Sequence, residues 1–186
     1  MDTNFNERMF HPSLSPEEND VLYSRYQKIR LQDPQVITGN WRVSTTKSIG
    51  ESHLGHTVLA QQLCQDVLMP FCGNIYNLES MPQTLDAITG ELSGLLKLAS
   101  EWRSFTAGSV VMYDFHPQFF EPGTEFNIRE VEIEGMKDNM PASSKVLLTA
   151  RLGLMSSRAL GDSKEFDRAI QSKVGVLTSE YFAVEA

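Results

Sequence analysis

Apolar residues recur at helical spacing through the first half of the chain and at a spacing of two through the second. Ser15 stands as an N-cap, Pro16 takes the first helical position and Glu18 completes a capping box, which marks a helix start. Leu22, Tyr26 and Ile29 then share one face, and Asp33-Pro34 ends the helix because proline disfavours helical backbone in the residue before it. The segment VITGNWRVSTT, from Val36 to Thr46, alternates loosely and is rich in β-branched residues, so it predicts a strand.

Two amphipathic helices are predicted next. Between Thr57 and Met69, the residues Leu59, Ala60, Leu63, Cys64, Val67 and Leu68 form one stripe, opposed by Gln61, Gln62, Gln65 and Asp66, and Pro70 is expected to end it. A longer helix runs from about Gln83 to Arg103 with Leu85, Ile88, Leu92, Leu95, Leu96, Ala99 and Trp102 on one face. It carries Gly90 and Gly94, a spacing that predicts another backbone packed closely against a central, buried helix.

Beyond Gly108 strands are predicted near 109–115, 125–134, 145–156 and 173–184, with 163–171 as a short helix or a loop. Turn signals separate the first three, at Glu121-Pro122-Gly123 and at Lys137-Asp138-Asn139 before Pro141. The change of apolar parity between Ile128 and Val131 predicts a bulge. Helices followed by antiparallel strands give an α+β domain over 15–186, preceded by a polar arm over 1–14.

Composition narrows the function. The 186 residues hold 16 Lys+Arg and 24 Asp+Glu, a formal charge of −8, which disfavours nucleic acid as a partner because phosphate binding needs a positive field. No run approaches the roughly 20 apolar residues of a membrane span. The acidic first 20 residues do not read as a signal peptide, so a cytoplasmic location without membrane association is expected. Two cysteines, Cys64 and Cys72, do not make a disulfide framework.

Candidate chemistry concentrates at Glu51, Ser52, His53 and His56, at the junction opening the Thr57–Met69 helix. A histidine beside a carboxylate can activate water, and a helix N-terminus favours a developing oxyanion. The bland reading makes Ser52 a helix cap and the histidines surface residues. A zinc or iron site from His53, His56, Asp114 and His116 is the weaker alternative, since the two pairs are far apart in sequence, and no metal or other cofactor is expected. Asp114 and His116, two apart, share one strand face. Cys64 falls on an apolar stripe and reads as packing, whereas Cys72 lies in a loop. Asp86 sits in the first turn of the long helix, where the dipole favours a carboxylate. Glu130, Glu132 and Glu134 alternate along one strand face and read as a solvated outer surface. Ser157 to Asp162 is similar to a short motif of metal-dependent Ser/Thr phosphatases, but the dispersed aspartates those enzymes use are missing, and the segment reads as strand end, turn and loop.

The order of elements resembles the hotdog fold of acyl-thioester enzymes, in which a curved antiparallel sheet wraps one long helix. Phe115-His116-Pro117 through Glu121-Pro122-Gly123 into Thr124–Val131 resembles the strand-turn-strand after the central helix of hotdog dehydratases and thioesterases. KVLLTARLGLM, a loop and KVGVLTSEYF are similar to the closing strands of β-hydroxyacyl dehydratases, and Leu54-Gly55-His56 to the glycine-histidine that opens a thioesterase helix. The thioesterase aspartate before that pair and asparagine after it are absent here, and Cys72 lies where a dehydratase has its histidine. The resemblance implies a homodimer acting on or binding an acyl thioester of coenzyme A or a carrier protein. It implies His56 with Glu51 or Asp86 in proton chemistry, and Gly55, Ser52 and Cys72 at the substrate. The competing expectation is a non-catalytic structural or assembly subunit, of a virus or phage particle for example.

Overall fold

The computed structural model describes residues 10–50, 55–72, 81–135, 145–161 and 166–179, with backbone alone for 71–72 and 81–83. It is an α+β protein: α1 (Pro16–Gln32), α2 (Gln35–Ile49), α3 (His56–Leu63), a π-helical turn (Cys64–Leu68), α4 (Met69–Cys72) and α5 (Met81–Ser109) precede six strands. The chain divides into two compact units, one holding the residues up to Tyr26 with Trp41–Val110, the other Gln27–Asn40 with everything from Val111. No helix among the described residues is long and apolar enough to cross a membrane.

In the first unit the capping box at the start of α1 forms as its residues dictate. The Ser15 amide donates to Glu18 Oε2 at 2.9 Å, and the Glu18 amide to Ser15 Oγ at 3.3 Å. Phe10, Tyr26 and Trp41 cluster, with the Tyr26 and Trp41 rings stacked 5.8 Å apart and Phe10 edge-on to both. α3 packs on α5, burying Ala60, Cys64 and Leu96.

Three expectations for these helices are corrected. The predicted strand from Val36 to Thr46 is helical. The buried residues of α2 are Gln35, Thr38, Gly39, Arg42, Val43 and Thr46, at helical spacing, while Val36 and Ile37 are exposed. Most of that face is polar, Gln35, Thr38 and Arg42 are hydrogen-bonded, and β propensity, worth at most about 1 kcal/mol, does not outweigh it. Pro70 does not end the preceding helix. The chain widens into the π-helical turn, with the Met69 amide bonded back to the Cys64 carbonyl, and runs directly into α4 with Pro70 as its second residue. Among the described residues nothing outside the helix's own backbone lies within 4 Å of where a Cβ would sit on Gly90 or Gly94, so neither marks a backbone approach there, and α5 exposes Leu95 and Trp102 from its expected buried stripe.

The second unit holds the strands. β1 (Asp114–Gln118), β4 (Gly153–Ala159) and β5 (Phe166–Ser172) form an antiparallel sheet in the order β1-β4-β5. β2 (Val131–Ile133), β6 (Val174–Leu177) and β3 (Leu148–Arg151) form a second, in which β2 runs parallel to β6 and β3 antiparallel. Val131, Val146, Val174 and Val176 make its core, with Phe120, Phe126 and Ile133 against them. The turn at Glu121-Pro122-Gly123 forms as predicted, with Gly123 at φ 85° and its amide on the Val146 carbonyl at 2.7 Å.

Two strand-side expectations are corrected. The segment predicted as a helix or loop over 163–171 supplies β5, whose residues after Phe166 are all exposed, so no alternation announces it. No bulge interrupts 128–131. Those residues turn instead, with the Glu130 amide on the Asn127 carbonyl, and the register shifts fall between Thr149 and Arg151 and between Leu154 and Met155.

Candidate functional site

The expected site at the start of α3 is described in part. Glu51, Ser52 and His53 lie outside the described residues, as does the Cys72 side chain. Gly55 caps α3 without a side-chain hydrogen bond. His56, the first residue of α3, is half-buried, and its Nε2 is sealed from solvent without a hydrogen-bond partner among the described residues. Asp86 is exposed on α5 and does not bond that nitrogen. Cys64 is buried, with Thr89 Oγ1 3.2 Å from its sulfur. Among the described residues no three His, Cys, Asp or Glu side chains group as metal ligands.

Among the described residues a dense polar cluster lies in the second unit. Arg30 projects from α1 and Gln35 from α2, while Asp114 and His116 share a face of β1 and Ser157 pairs with Asp114 in the register of β4. Arg30 Nε forms an ion pair with Asp114 Oδ2 at 3.0 Å, both side chains being less than a tenth exposed. Its Nη2 donates to Ser157 Oγ at 2.7 Å, and that hydroxyl lies 2.9 Å from His116 Nε2. Gln35 Nε2 donates to the Val111 carbonyl at 3.3 Å, its Oε1 accepts the Ala159 amide at 2.9 Å, and the Phe166 ring covers the guanidinium 4.3 Å from its Cζ.

This arrangement ties helix residues to two neighbouring strands through charge-assisted bonds. It also sets a serine oxygen between a guanidinium and an imidazole, the setting in which a hydroxyl passes its proton to a base while a cation steadies the oxygen. Ser157 is 3% exposed, so the cluster closes over that oxygen rather than presenting it. Asp114 and His116 were legible as a same-face pair. Arg30 was not, although its place beside Ile29 and four residues after Tyr26, on the helix face that turns inward, was the available signal. Ser157 carried none.

Two charged features complete the picture. Arg151 hydrogen-bonds Glu132 and lies 3.5 Å from Glu134, and the bond and charge of Glu132 hold its guanidinium above the ordinary range. Glu132 is exposed and Glu134 half-buried, whereas Glu130 belongs to the preceding turn. In the first unit burial lowers the His11 imidazole from its ordinary value, the Arg103 guanidinium adds to the effect, and a hydrogen bond with the Gly50 backbone opposes it. Burial likewise lowers Arg103.

An apolar stripe runs along α5. Leu95, Leu98, Trp102 and Phe105 are 62%, 63%, 41% and 62% exposed. Their spacing of three, four and three residues keeps them on one side of the helix, away from buried Leu96. No family model, no curated protein and no solved structure matches this chain.

Proposed function

We propose that this chain is a non-catalytic assembly module that works by association through α5. The observation that carries the reading is the stripe Leu95, Leu98, Trp102 and Phe105: four large apolar side chains, contiguous and open to water on one helix. Single exposed apolar residues are ordinary, but a contiguous set repeating at coiled-coil spacing marks a binding surface. The polar cluster around Arg30 fits a structural role in this reading, because Arg30 and Asp114 are paired in the interior and the serine is closed off. Acrylamide quenching of Trp102 fluorescence and binding of an apolar dye, compared with the Leu98→Glu/Phe105→Glu variant, test it. The expected result is dye binding by the wild type, lost in the variant with the helical circular dichroism unchanged. Equal dye binding by both proteins would remove the α5 face as the association surface.

A second reading, acyl-thioester chemistry in a hotdog-like domain, draws support from the Ser157–His116 contact at 2.9 Å with Arg30 on the same oxygen. It moves the chemistry from His56 to Ser157, with His116 as base and an acyl-serine as intermediate. Thiol release from a panel of acyl-CoA esters, with labelling of Ser157 by a fluorophosphonate, tests it. Absence of both eliminates it.

A further inference from the structure

The α5 stripe is self-complementary, and this points to its occupant. Leu95 and Phe105 lie at equal distances from the middle of the stripe, and so do Leu98 and Trp102. A two-fold axis perpendicular to the helix at that midpoint therefore sets each leucine against an aromatic residue of the other copy, in both layers. Small-against-large pairing in successive layers lets side chains interdigitate at interior density. A parallel arrangement would set Trp102 against Trp102 and Phe105 against Phe105, leaving the leucine layers thin. Gly94 flanks the stripe at the end where Phe105 of the second copy would arrive, and nothing lies within 4 Å of its missing Cβ.

The area is informative. Four such side chains from each copy remove on the order of 1,000 Å² from water in total, the lower bound for a specific interface. We infer that two copies of this chain pair through α5 in an antiparallel, two-fold arrangement, forming a weak dimer that responds to concentration. This rests on the reading of the α5 face as an association surface.

Sedimentation velocity over a wide concentration range, joined to cysteine cross-linking in a Cys72→Ser background, tests the inference. The wild type is expected to pass from monomer to dimer, and Leu98→Glu/Phe105→Glu to weaken dimerisation by at least about a hundredfold. A mixture of Leu98→Cys and Trp102→Cys chains forms the mixed disulfide, whereas either chain alone cross-links poorly. A wild type that stays monomeric while still binding the apolar dye overturns the second copy as occupant and leaves the association surface standing. A dimer unaffected by Leu98→Glu/Phe105→Glu overturns the α5 interface itself. Efficient cross-linking of Leu98→Cys alone overturns the antiparallel order.

Discussion

Arg42 Nη2 donates to the Val110 carbonyl at 2.6 Å, just past the end of α5. The same guanidinium reaches the Thr106 and Ala107 carbonyls at 2.8 and 2.7 Å and Tyr26 Oη at 3.3 Å. One buried cation thus satisfies carbonyls that the last turn of a helix leaves without amide partners and complements the negative end of its dipole. Arg42→Met should destabilise the fold by about 3 kcal/mol, because acceptors lose their donor where water is largely excluded. Arg42→Lys should recover part of that loss. Urea unfolding measures both, and hydrogen exchange at the end of α5 should accelerate first.

Arg30 and Asp114 are buried together, so removing one strands the other. Arg30→Met or Asp114→Leu should each cost about 3–5 kcal/mol, and the double variant should cost clearly less than their sum. A double-mutant cycle in urea checks this. Additive losses would show that the pair is not coupled.

His11 binds its proton less readily folded than unfolded, since burial and Arg103 lower its pKa. Above its ordinary value of about 6.5 the imidazole is neutral in both states, and stability is unaffected by its titration. As pH falls below that value the unfolded chain takes up the proton first, so stability declines until the folded-state pKa is passed. Thermal unfolding between about pH 7 and about pH 5 should show a decline that His11→Gln reduces.

Glycine positions separate strain from slack. A Cβ at Gly153 would meet Val174 Cγ2 at 2.7 Å and the Ser172 carbonyl oxygen at 2.9 Å, so Gly153→Ala should destabilise by about 1–3 kcal/mol. Gly90 lies in helix with open space around it, and Gly90→Ala should stabilise by up to about 1 kcal/mol. Melting temperatures of the two variants should move in opposite directions.

Elements whose signals are local were legible in the residues. Ser15 and Glu18 announce α1, the apolar stripe over Leu59 to Cys64 announces α3, and Glu121-Pro122-Gly123 announces its turn. α2 was not legible because most of its buried positions are polar, Gln35, Thr38, Arg42 and Thr46 among them, and a polar residue is a good interior residue only once its partner is known. β5 was not legible because an edge strand with exposed residues on both faces has no period to read. For the candidate site, Asp114 and His116 could be paired on one face, whereas Arg30 and Ser157 are 127 residues apart and meet only through the fold.

By itself the sequence determined the class of this protein, α+β, together with its acidic balance and the position of its longest helix, because caps, turns and apolar period act over a few neighbouring residues. Tertiary structure alone decided which side of α5 faces inward. The expected stripe ran from Leu85 to Trp102, yet Leu96 is buried while Leu95 and Trp102 are open to water. An amphipathic period says that a helix has an apolar side. It does not say how much of that side the rest of the chain will cover, and the uncovered part is where the proposed association lies.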